Sequence, residues 1–105
     1  MRVSRLLETA IYGEDLDVLT RFYTEFLGLE RVADTPGRNV VLRCGPAALI
    51  LFDPRASSQR DAMFPSHGST GPGHIAFSVP LREFDPWRQR LAQFNIPIRE
   101  GDRVA

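Results

Sequence analysis

Two stretches of this chain repeat one pattern. The first runs LETAIYGEDLDVLTRFYTEFLGLERV from Leu7, and the second runs GHIAFSVPLREFDPWRQRLAQFNIPIRE from Gly73. Each reads as a short alternating strand, an amphipathic helix and a second strand. Internal self-similarity constrains the architecture before any single residue does. In each copy the first strand opens on a side chain able to hold a metal, Glu8 in one and His74 in the other. The copies differ in extent. After its helix the first continues through three strand-like runs, whereas the second reaches one before Ala105.

Within the first copy, Leu7, Thr9 and Ile11 alternate with Glu8, Ala10 and Tyr12, which sets two opposite faces. Asp15 is placed to cap a helix by accepting from its first free backbone N–H groups. Leu16, Leu19, Phe22, Tyr23, Phe26 and Leu27 then recur at helical spacing, and Gly28 supplies a left-handed stop. Strands are predicted over Leu29–Ala33, Val40–Leu42 and Ala48–Phe52, separated by turn chemistry at Asp34–Gly37 and Gly45-Pro46. Residues 55 to 72 read as a polar loop without periodicity, and His67 within it as a solvated histidine. In the second copy Ile75, Phe77 and Val79 alternate as a strand. Asp85-Pro86 marks a helix start, and Phe84, Trp87, Leu91 and Phe94 share one helical face, with Trp87 as core. Asn95 sits where Gly28 does, and Ile96–Glu100 begins another strand.

Composition narrows the partners. Lys plus Arg and Asp plus Glu both number 13, so the net charge of zero gives no reason to expect nucleic acid or an anionic membrane. No apolar stretch is long enough to span a bilayer, and the N-terminus carries charges where a signal peptide needs its apolar region. A cytoplasmic location is the expectation. Cys44 is the single cysteine, which excludes an intrachain disulfide and reads as a buried small hydrophobe. There is no phosphate-binding glycine loop, nucleophile elbow or paired-cysteine knuckle, and no organic cofactor is implied.

With the repeat in place, three motifs resemble the vicinal oxygen chelate superfamily: glyoxalase I, bleomycin-resistance proteins and extradiol dioxygenases. They are DLDVLTRFYTEFLGLE after the first strand, ALILFDP closing the first module and GHIAFSV opening the second. The resemblance runs from about Leu6 to Glu100. It implies an α+β fold of paired βαβββ modules in a single domain over 1–105. Module one spans about 5–54 and the linker about 55–72. Module two, about 73–105, lacks its last strands. Paired modules of this family form a cup whose concave face holds a divalent metal.

The resemblance also implies site residues. Of four family ligand positions, the first falls on Glu8 and the third on His74. The second falls at or beside Ile50, which cannot ligate, and the fourth lies on a strand this sequence does not reach. Tyr12, Ile50, Phe52 and Ser78 line the implied pocket, and no catalytic residue is assigned. The ion would be Fe, Mn, Zn, Ni or Co, which histidine and carboxylate suit alike. The implied activity is that of a metal-dependent lyase or dioxygenase on a small oxygen-chelating substrate. The alternative is a metal-free protein that sequesters a drug or aromatic ligand, as bleomycin-resistance proteins do. An incomplete second module leaves a sheet edge, and a homodimer is the expected consequence.

Overall fold

The alternation at Glu8–Tyr12 forms the first strand, β1 (Glu8–Tyr12), of a four-stranded mixed sheet in the order β1-β4-β3-β2. The other strands are β2 (Glu30–Thr35), β3 (Asn39–Cys44) and β4 (Ala47–Phe52). This computed structural model describes residues 1–60 and 63–99. They divide into two units, Met1–Pro72 and Gly73–Ala105.

In the first unit, β1 runs parallel to β4, with Glu8 opposite Ala48 and Tyr12 opposite Phe52. β4 and β3 are antiparallel, as are β3 and β2, the last pair broken by a register shift between Arg31 and Ala33. Strong apolar alternation sets the faces. Val40, Leu42, Leu49 and Leu51 are buried, and Ile11, Leu16, Leu19, Leu27 and Leu29 pack around them. Register partners share a face, so Glu8, Ala10, Tyr12, Val41, Arg43, Ala48, Ile50 and Phe52 lie on the opposite one.

α1 (Leu16–Arg21) begins as its sequence predicts, with the Val18 N–H donating to the Asp15 carboxylate at 3.1 Å. The helix expected to run on to Leu27 changes character. Over Phe22–Phe26 it widens to a π turn, the Leu27 N–H reaching the Phe22 carbonyl at 3.1 Å. The Thr20 and Thr24 hydroxyls donate back to the Leu16 and Thr20 carbonyls, at 2.6 and 2.8 Å, which loosens a helical ladder. Tyr23 and Phe26 are both buried, while Phe22 is exposed. Burial pushes the Tyr23 phenol above its ordinary pKa. Gly28, at φ 78°, supplies the left-handed stop. After β4, Asp53 caps a single helical turn, α2 (Pro54–Ser57), where the sequence predicted loop from residue 55.

The second unit corrects several expectations. Its helix, α3 (Phe84–Gln93), follows a 3₁₀ turn at Leu81–Glu83 and so starts before Asp85-Pro86. Asn95 does adopt the left-handed conformation, at φ 57°. The segments 73–80 and 96–99 form no strand, against the expectation for Ile75–Val79 and Ile96–Glu100; Glu100 lies outside the described residues. Alternation alone does not make a strand. Backbone N–H and C=O groups need a ladder partner, and no strand among the described residues of this unit provides one. The helix shows the same deficit. Phe84 and Phe94 are exposed, Trp87 and Leu91 are half-buried, and α3 buries no residue fully. Trp87 is therefore not core; its ring lies 6.0 Å below the Arg90 guanidinium. Cys44, at the end of β3, is half-buried.

Candidate functional site

The sheet face away from α1 carries four of the six residues singled out from sequence. Glu8 opens β1 at one end of it, exposed, beside Ala48. It lines a cleft of about 340 Å³ with Leu7, Val32, Arg43, Pro46 and Ala48. Arg43 Nε lies 3.5 Å from the Glu30 carboxylate, so the nearest cation on this face already has a counter-charge. Ile50 sits mid-face opposite Ala10. Tyr12 and Phe52 close the far end, their rings stacked at 5.7 Å between centroids and 24° between planes. Glu8 and Tyr12 are four residues apart on an extended strand, about 13 Å. His74 and Ser78 belong to the second unit, where both are exposed.

The residue that sequence reading missed is His67. It is held from several sides rather than solvated. Its Nδ1 shares a 2.7 Å hydrogen bond with the Tyr12 hydroxyl. Its ring meets Phe52 edge-on at 4.5 Å between centroids. Its backbone N–H donates to the Ser57 carbonyl at 2.9 Å, and the fully buried Ser57 hydroxyl donates to the His67 carbonyl at 2.8 Å. A second cleft, about 470 Å³, opens beside it, lined by Glu14, Arg55, Ser58, Ser66, His67 and Thr70 among others. Local sequence carried no sign of this, because the partners Tyr12, Phe52 and Ser57 are distant along the chain.

The cation of that second cleft, Arg55, is paired within the protein. Arg55 Nη2 donates to the Asp53 carboxylate at 2.9 Å and to the Glu14 carbonyl at 3.0 Å. The Arg55 side chain, and then its backbone N–H, hold the Asp53 carboxyl below the usual carboxylate range. The same pairing pushes the Arg55 guanidinium further up.

The sheet order, the apolar face and the placement of Glu8 can be compared with known proteins. A family model described as Glyoxalase/Bleomycin resistance protein/Dioxygenase superfamily matches residues 5–103. The chain belongs to this superfamily. Lactoylglutathione lyase from Agrobacterium tumefaciens is 39% identical, with a TM-score of 0.89 over 99% of this chain and 80% of that one. The fosfomycin resistance protein FosX of Listeria monocytogenes shares the fold at 17% identity and TM-score 0.68, over 98% of this chain and 75% of that one. A glyoxalase/bleomycin resistance protein/dioxygenase from Alicyclobacillus acidocaldarius does so at 24% and 0.56, over 92% and 69%. No curated protein sequence matches significantly.

Members of the glyoxalase superfamily bind small molecules, commonly use divalent metals and often form dimers. A Lewis-acid site needs about three protein ligands. Among the described residues no three His, Cys, Asp or Glu side chains converge. The described residues therefore do not by themselves make a complete metal site; the first unit offers two carboxylates on a mainly apolar face, Glu8 and the Arg43-paired Glu30.

Proposed function

We propose that this protein binds a small oxygen-bearing molecule against the face of β1 and β4 and acts as a lyase or dioxygenase of the glyoxalase type. The carrying observation is the composition of that face: Ala10, Ile50, Tyr12 and Phe52 accept an apolar body, and Glu8 stands at its end. The likeness to a lactoylglutathione lyase across nearly the whole chain supports a lyase. Glu8 and His74 are the two ligands we assign to a divalent ion, Fe, Mn, Zn, Ni or Co; such an ion would supply Lewis-acid polarisation of substrate oxygens. Ser78 would add a hydroxyl to the pocket.

A second reading has its own observation. Ile50 cannot ligate, and its position on the face favours a metal-free protein that sequesters an aromatic or drug-like ligand. One experiment separates the two. Metal content of the purified protein would be measured with turnover of lactoylglutathione, for the native chain, Glu8→Ala and His74→Ala. A bound transition metal and a lyase rate, both lost in the variants, establish the enzyme. A metal-free protein that still binds hydrophobic ligands establishes sequestration. If neither result is obtained, the lyase reading is left without support.

The homodimer belongs to the same proposal. β1 pairs only with β4 among the described residues, which leaves its other edge able to accept a strand. The segment near Ile96–Glu100 is the alternative place for the contact. Light scattering showing a monomer at working concentration would overturn this. No helix among the described residues is long and apolar enough to cross a membrane. We assign the protein to the cytoplasm, which fractionation of cells would test.

A further inference from the structure

We propose that His67 is a separate ligand-binding group, an oriented Nε2–H donor that takes a neutral carbonyl or hydroxyl oxygen in the cleft bounded by Pro54, Arg55, Ser58 and Ser66–Thr70. This holds whether or not Glu8 binds a metal.

Three observations carry it. The first is the tautomer. The Tyr12 hydroxyl lies 2.7 Å from Nδ1 of His67, a bond whose direction the ring's tautomer sets, and we take the phenol O–H as its donor. A phenol donating to Nδ1 leaves the neutral ring's proton on Nε2. The second is availability. Nε2 has no hydrogen-bond partner among the described residues, and no buried polar side-chain atom among them lacks one, so this nitrogen is reachable. His67 is one of the residues lining the cleft of about 470 Å³, and we place Nε2 toward that space. The third is rigidity. The surrounding stretch has no regular structure, yet His67 is fixed through its ring, its N–H and its carbonyl. A donor already held in place loses little freedom when a ligand arrives.

Charge selects the ligand class. Arg55 is the cation of the cleft, and the Asp53 carboxylate is bonded to its guanidinium. Glu14 lines the cleft itself and is a second acidic residue near Arg55. With Arg55 neutralised and Glu14 left over, a carboxylate or phosphate ligand meets net repulsion. Ser58, Ser66, Ser69 and Thr70, which carry hydroxyls, line the same cleft and suit an uncharged oxygen instead. Tyr12 is then a positioning residue, acting through the tautomer it imposes.

The test uses the ¹⁵N-labelled full chain and the matched probes acetamide and acetate, equal in shape and different in charge. Imidazole ¹⁵N shifts report the tautomer directly. The expected results are a neutral Nε2–H ring for His67 and saturable movement of Nε2 with acetamide but not acetate. Tyr12→Phe, folded by its amide spectrum, should show mixed tautomers and bind acetamide about twofold more weakly, as a half-populated donor form implies. An Nδ1–H tautomer in the native chain, equal response to acetate, or no response at Nε2 to either probe would each overturn the proposal. An unchanged tautomer in Tyr12→Phe would remove Tyr12 from it.

Discussion

The Tyr12 hydroxyl lies 2.7 Å from Nδ1 of His67, tying the end of β1 to a stretch of chain that has no regular structure of its own. With the two Ser57 hydrogen bonds and the Phe52 ring, this contact holds His67 against the end of the sheet.

The coupling of that pair is measurable. Tyr12→Phe and His67→Ala should each lower unfolding stability, the former by about 1 kcal/mol. The double variant should cost less than the sum, because each single change already breaks the shared bond. Urea denaturation of the four proteins checks this; strict additivity would mean the bond adds nothing in solution.

The core should respond unevenly. Leu51 is fully buried, whereas Phe84 is 53% exposed. Leu51→Ala is expected to cost about 2–5 kcal/mol. Phe84→Ala should stay within about 0.5 kcal/mol of the native chain. Thermal melts of the two variants distinguish a first unit that holds the protein's stability from one that shares it equally with α3.

Acid should release the Asp53–Arg55 pair. The folded carboxyl is held below its unfolded value, so its contribution is complete above the unfolded pKa and fades as pH falls through the lower, folded one. Asp53→Asn should therefore flatten the acid limb of a stability–pH curve and leave its shape near neutrality unchanged. Denaturation midpoints between strongly acid and neutral pH give the answer.

If Glu8 holds a metal, Ile50→His should tighten it. Ile50 is diagonal to Glu8 across the β1–β4 ladder and on the same face, within reach of a longer side chain. A gain of about tenfold in zinc affinity is expected from one added ligand. Calorimetric titration showing no gain would argue that Glu8 does not bind metal.

What the sequence made legible was local. The Asp15 cap and the left-handed Gly28 and Asn95 depend on residues within a turn of one another, and all three are present. The two faces of the sheet were readable too, since alternation in β3 and β4 is strong. The strands expected at Ile75–Val79 and Ile96–Glu100 failed because a strand is a property of a pair, and pattern shows only one member. The π turn at Phe22–Phe26 was hidden because its apolar spacing fits an α-helix equally well. His67 was hidden for a third reason: every group that holds its side chain lies in another element.

The position of β1 in the sheet has a consequence for how the protein assembles. β2, β3 and β4 follow one another through tight turns and can zip together from nearby residues. β1 must wait for β4, whose residues lie some forty places later, before it gains any ladder at all. The first strand in the chain is thus expected to settle after the other three, and it carries both Glu8 and Tyr12. A molecule bound along that face would act as a clasp on the loosest seam, and amide exchange in β1 would slow before any other strand responded.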